Sequence, residues 1–245
     1  MPFLKSTIQK SLKHFGYTLK KDFYPDFEAD FLTLQKKIAP YTMTHTESQY
    51  AMYKAIRHIL THNIPGDIVE CGVWRGGVSM IFADQLEKAQ ENRTLYLYDT
   101  FEGMSEPTEN DVRFDGNQAA PTWRNRIRDD GANGWDYASY EDVERNIKST
   151  GYPSVRLVKG KVENTIPAVV PGSIALLRLD TDWYESTKHE LEQLFPLLSQ
   201  GGILVIDDYG HWLGARKAVD EYFKEHAVTI FLNRIDHSAR LGVKM

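Results

Sequence analysis

Two apolar runs in this sequence stop abruptly at paired carboxylates. "LLRLDTDWYEST", residues 176–187, carries Asp180 and Asp182, and "GGILVIDDYGHW", residues 201–212, carries Asp207 and Asp208. One acid at a strand end is ordinary. Two pairs in the same relative place suggest a positive charge between them, because crowded carboxylates repel and some must otherwise stay protonated. A hard dication such as Mg²⁺ takes oxygen ligands in near-octahedral geometry, and Asp180, Asp207 and Asp208 are the candidate ligands. Asp182 could face a substrate instead of the metal. No histidine and cysteine cluster shows zinc spacing. His211, just past the second pair, is a rival to Asp182 as proton acceptor. The plainer alternative is that these acids cap the helices that follow them.

"ECGVWRGG", residues 70–77, is the second chemical feature. It joins a short strand to a helix, so Gly72 and Gly76 can bring backbone amides close to a ligand at the helix start. The stretch is neither a G-x-G-x-x-G dinucleotide fingerprint nor a phosphate loop with its lysine. Its E-x-G-x-x-x-G spacing suits S-adenosylmethionine, which has a carboxylate and an ammonium group but no phosphate. Glu70 can accept from the ammonium, and Asp99, ending the next strand, can accept from two ribose hydroxyls. The alternative is a tight strand-to-helix turn with a solvated Glu70 and a capping Asp99.

These residues need a frame. Strands are expected at "GDIVECG", "TLYLYD", "SVRLVKG", "SIALLRLD" and "GGILVIDD", with helices between most of them. Such alternation implies an α/β fold with a mostly parallel sheet. The runs at 174–179 and 203–206 lack polar alternation, as strands buried on both faces do. "VTIFLN" and "ARLGVKM" have no helix between them and should form an antiparallel hairpin. Ligands of open α/β sheets bind beyond the carboxyl ends of the strands, which puts Glu70, Asp99, Gly160, Asp180 and Asp207 on one rim. A helix over "THTESQYAMYKAIRHILTH" can be capped by Thr44 or Thr46. "WYESTKHELEQLFPLLSQ" reads as one helix. Residues 103–138, rich in glycine, proline and charge, read as a structureless insert of the kind that forms lids. Trp123, Trp135, Trp183 and Trp212 could stack on a sugar, although large aromatics more often pack cores.

At 245 residues and 42% hydrophobic composition the chain suits one large soluble domain. A net charge of −5 argues against nucleic-acid binding. A lone Cys71 excludes an internal disulfide and fits a reducing, cytoplasmic setting. No stretch is long and apolar enough to span a membrane. Residues 1–21 carry five lysines and no acid, with Leu4, Ile8, Leu12, Phe15 and Leu19 on one helical face. This segment could lie on an anionic membrane surface; the simpler reading packs it on its own domain or on a second subunit, as in a homodimer.

Taken together, "YTMT", "IPGDIVECGVWRGG", "LYLYDTFEGM", "LLRLDTDWYEST" and "IDDYGHWLGARKAVDEY" resemble the TylF/MycF/NovP family of metal-dependent sugar O-methyltransferases. The resemblance runs from about residue 40 to the C-terminus. It implies a class I methyltransferase (Rossmann-like) fold with a seven-stranded sheet, S-adenosylmethionine as donor, Mg²⁺ as cofactor, and a sugar or glycoside acceptor. Residues 1–40 would then be an N-terminal helical extension to a methyltransferase domain over 41–245. Carried over by motif, Asp180, Asp207 and Asp208 hold the metal and Asp182 is the base. Thr42, Met43, Glu70, Gly72, Gly76, Asp99, Ser139, Gly160, Lys161 and Val162 form the expected donor site. The 103–138 insert matches least, so acceptor identity is not inherited. A metal-dependent hydrolase would share the aspartates but leave Glu70, Gly72 and Asp99 unexplained. An inactive donor-binding module would keep the glycine turn and lose the acids.

Overall fold

Five apolar segments build a parallel sheet: β1 (Asp67–Cys71), β2 (Leu95–Asp99), β3 (Val155–Lys159), β4 (Ile174–Leu179) and β5 (Leu198–Ile206). The computed structural model describes residues 24–245 together with Leu12 and His14; the helix expected over 1–21 otherwise lies outside the described residues. Two C-terminal strands, β6 (Asn233–Arg234) and β7 (Arg240–Val243), form the expected antiparallel hairpin, and β7 pairs with β5. The seven-stranded order is β3-β2-β1-β4-β5-β7-β6. β6 is much shorter than the apolar run "VTIFLN" suggests.

Helices cover both faces, because every residue of β4 is buried and neighbouring residues of a strand point to opposite sides. On one face α1 (Ala29–Ile38), α2 (Thr46–Thr61), α3 (Gly77–Lys88) and α5 (Tyr140–Lys148) pack Phe31, Ile56, Phe82 and Ile147 against Ile68, Leu97 and Leu176. On the other, α7 (Tyr184–Leu194) and α8 (Leu213–Glu225) pack Leu191 and Val219 against Val69, Leu177 and Leu204. Two short helices, α4 (Ala120–Arg124) and α6 (Val162–Thr165), complete the set. Helix α1 shares its core with α2 and α3 and is continuous with the main body. No described helix is long and apolar enough to cross a membrane.

Three local expectations are corrected. The residue before α2 is His45, and neither threonine caps the helix by its side chain; Thr42 Oγ1 instead accepts from the Thr44 amide. Helix α7 ends at Leu194, because Pro196 starts a single 3-10 turn and Leu198 already belongs to β5. The 103–138 insert is not structureless. It holds α4, isolated bridges Val112–Gln118 and Ile127–Asn133, and buried Asp111, whose carboxylate accepts from the Thr108 and Tyr184 amides at 2.6 and 2.8 Å. Asp111 thereby ties the insert to the first turn of α7. Asp, Asn and Thr side chains that bond nearby backbone supply order where hydrophobic periodicity is missing.

Candidate active site

The order of the sheet reverses between β1 and β4, and the carboxyl ends of those strands frame a cavity of about 420 Å³, a size suited to a cofactor-sized ligand. At its floor, Gly72 has φ +81°, and a Cβ there would lie 1.9 Å from the Asp180 carbonyl oxygen. The close approach that Gly72 permits is therefore between two strand ends. We expect Gly72→Ala to cost about 2–5 kcal/mol, from left-handed backbone strain and overpacking. Urea denaturation checks this, and a loss under about 1 kcal/mol would mean that the turn adjusts.

Register explains how the acids meet. Glu70 on β1 pairs with Arg178 on β4, and Arg178 pairs with Val205 on β5. Residues two apart share a face, so Glu70, Arg178, Asp180 and Asp207 project to the same side. There the Arg178 guanidinium, 2% exposed, donates to Glu70 Oε1 at 2.6 Å and forms ion pairs with Asp180 Oδ2 at 2.8 Å and Asp207 Oδ1 at 2.9 Å. Its remaining reach is to Thr44 Oγ1 at 3.4 Å. Sequence reasoning missed this residue. Its signal was a single arginine inside the otherwise apolar strand "IALLRL".

Glu70 lies fully buried beneath the cavity, with one oxygen on Arg178 and the other accepting from the Ser79 hydroxyl. Burial pushes its pKa up, against the pull of Arg178. Asp99 accepts at Oδ2 from the Val73 and Trp74 amides, at 2.8 and 3.1 Å, and at Oδ1 from the Phe101 amide at 2.8 Å. It organises the glycine turn while lining the cavity, and burial raises its pKa despite those bonds. Thr42, Met43, Gly72, Gly160, Lys161 and Val162 also line the cavity. Gly76 and Ser139 are outside the lining: Gly76 faces Ile147 and Val143, and the Ser139 hydroxyl caps α5 by accepting from the Asp142 amide at 3.2 Å.

The acid set gathers just beyond the carboxyl ends of β4 and β5. Asp180, Asp207 and Asp208 offer oxygens that all lie within 4.8 Å of one another. An octahedral dication with bonds of 2.0–2.1 Å spans at most about 4.2 Å between ligands, so small side-chain shifts close this set. Arg178 faces one oxygen each of Asp180 and Asp207, leaving the other on each, while buried Asp207 Oδ1 and Asp208 Oδ2 have no hydrogen-bond partner among the described residues. Of five neighbouring carboxyls, Arg178 pairs with Glu70, Asp180 and Asp207, and Asp182 and Asp208 make no ion pair among the described residues. The donor set is thus all oxygen and under-neutralised, and it fits a hard dication.

Asp182 has φ +67°, left-handed for a residue with a side chain, and its Oδ1 accepts from Trp212 Nε1 at 3.0 Å. Such strain concentrates at functional sites. Burial first, then the Asp180 charge, pushes its pKa well above the usual carboxylate range; burial and the Asp182 charge do the same to Asp208. Burial also raises Asp180, more than Arg178 lowers it. His211 lines the cavity with its ring packed edgewise on Phe114 and Trp212, and burial lowers its pKa. Trp183 is a buried packing residue; Trp212, buried, and Trp135, part-buried, line the cavity, and Trp123 donates to the Met104 carbonyl at 2.8 Å without lining it.

A profile of the macrocin O-methyltransferase (TylF) family matches residues 4–241, reaching further towards the N-terminus than the motifs from residue 40 onwards. The chain belongs to this family. Proteins that resemble it include demethyldecarbamoylnovobiocin O-methyltransferase of Streptomyces niveus, 32% identical over 186 residues, covering 75% of this chain and 68% of that one. Mycinamicin III 3''-O-methyltransferase of Micromonospora griseorubida is 31% identical over 203 residues, covering 80% and 76%. The solved O-methyltransferase NovP superposes with a TM-score of 0.72 at 29% identity, over 84% of this chain and 82% of that one. The protein is accordingly an S-adenosylmethionine-dependent O-methyltransferase with the class I methyltransferase fold.

Proposed function

We propose that this enzyme methylates a hydroxyl of a sugar or glycosylated small molecule, with Mg²⁺ held by Asp180, Asp207 and Asp208 and with Asp182 as general base. The observation that carries this reading is that Asp180, Asp207 and Asp208 cluster, with Asp182, in the lining of the same cavity as the glycine turn. The relatives, named as O-methyltransferases of demethyldecarbamoylnovobiocin and of mycinamicin III at the 3'' position, support the acceptor class.

In this reading Thr42, Met43, Gly72, Asp99 and Gly160–Val162 orient the donor, and Asp99 reaches its ribose with the acceptor capacity left over from the turn amides. Glu70, already bonded to Arg178 and Ser79, meets the donor ammonium only through a remaining lone pair. When bound, Mg²⁺ would raise the acidity of a sugar hydroxyl that is otherwise protonated and weakly nucleophilic. Asp182 accepts the hydroxyl proton as that oxygen takes the methyl group and the carbon–sulfur bond breaks. The sulfonium charge disappears in this step, so the residues around the donor serve mainly to align it. Asp182 is preferred to His211 because Trp212 fixes its carboxylate beside the acid set.

A screen of glycosylated metabolites and nucleotide sugars, read by mass for the gain of one methyl, tests the acceptor class. With an acceptor found, EDTA should abolish turnover and Mg²⁺ should restore it. Full activity in EDTA would remove the metal from the reading and leave the methyl transfer itself standing.

A further inference from the structure

Beside the aspartate set, three side chains from two distant segments of the chain meet at the rim of the cavity. His45 precedes α2, and Asp236 and His237 lie in the turn between β6 and β7. Their ligand atoms fall within 4.8 Å of one another, His45 Nδ1 stands 3.7 Å from Asp236 Oδ2, and the two imidazole rings meet edge to face at 4.9 Å. Tetrahedral ligands bonded at 2.0–2.2 Å are about 3.4 Å apart, so the His45–Asp236 pair already has nearly that spacing.

We propose that His45, Asp236 and His237 form a second cation site, distinct from the aspartate triad and selective for Zn²⁺ over Mg²⁺. Two imidazoles and one carboxylate are ligands for a borderline ion, whereas Mg²⁺ is held by oxygen alone. The carboxylate is pre-set in the way that ligating carboxylates are. Asp236 Oδ1 accepts from the Ser238 and Ala239 amides at 2.8 and 2.7 Å, and Oδ2 from the Ser48 hydroxyl at 2.7 Å. The turn that carries it is fixed by the Gly210 amide, which donates to the Ser238 carbonyl at 2.8 Å. Both histidines are exposed, so their ring nitrogens are open to an ion from solvent. A bound Zn²⁺ joins the start of α2 to the C-terminal hairpin and so fastens the Thr42–His45 strap that borders the donor cavity.

The experiment is zinc retention by the full chain, loaded with Zn²⁺ in excess Mg²⁺, gel-filtered and assayed for metal. Wild type and Asp207→Asn should keep about one equivalent with tetrahedral ligation. His45→Ala and His237→Ala should weaken Zn²⁺ at least as much as the roughly 10–100-fold typical of losing a supporting residue, and Ser48→Ala should fall within that range. Amide exchange at residues 42–46 should slow with Zn²⁺ in wild type and not in the histidine variants. His237→Gln provides a second test at that position, and circular dichroism verifies folding. Absence of bound zinc in wild type, equal retention in both histidine variants, or loss in Asp207→Asn alone would each overturn the proposal.

Discussion

Arg178→Met should lose about 3–5 kcal/mol of stability, the usual cost of removing one partner from a buried ion pair. For a domain of this size that is roughly a 6–20 °C fall in Tm. Three carboxylates rest on the guanidinium, and the apolar replacement leaves Glu70 fully buried beside Asp180 and Asp207 with no counter-charge. Arg178→Lys should fall between the two, since an ammonium keeps the charge but lacks the planar fork. Adding Glu70→Gln to Arg178→Met should recover part of the loss, because the stranded charge is then gone, and the shortfall from additivity measures the pair. A urea midpoint for Arg178→Met within about 1 kcal/mol of wild type would show that the acids are not held this way.

The largest effect on rate is expected from Asp182→Asn. Asparagine tolerates the left-handed backbone nearly as well as aspartate, and its side-chain oxygen can still accept from Trp212. The fold and the metal set should survive while the proton acceptor is lost, so kcat should drop by about 10²–10⁴ with little change in donor affinity. Asp180→Asn and Asp207→Asn should behave differently, raising the Mg²⁺ concentration needed for half-maximal rate. His211→Gln should cost far less than Asp182→Asn. If the order of these two is reversed, the base is His211.

The sheet was legible because its strands are apolar runs of the right length, and the acid pairs were legible because they interrupt those runs at the same end. What escaped was what register decides. The sequence pointed to a positive charge among the carboxylates and suggested only a metal; the pairing of β1 with β4 adds the chain's own Arg178. The Gly72 turn was visible, but its partner, the Asp180 carbonyl, is 108 residues away in the chain and no local pattern announces it. The insert failed to show its order because its order is polar, resting on Asp111 rather than on an apolar stripe. The His45, Asp236 and His237 cluster is assembled from segments too far apart for any spacing rule.

The insert also has a bearing on how this enzyme could acquire new acceptors. The indole of Trp183, the residue after Asp182, donates to the Ser105 carbonyl at 2.9 Å, and Arg113 bridges Trp212, the residue that holds the Asp182 carboxylate. If 105–113 borders the acceptor, that segment and the residue that would take the proton are mechanically joined. Mutations that reshape 105–113 for a bulkier substrate are then expected to tilt Asp182 as well. Laboratory selection for new acceptors should consequently pass through slow intermediates, and recovered activity should come from compensating changes near Trp183 and Trp212 rather than from further widening of the insert.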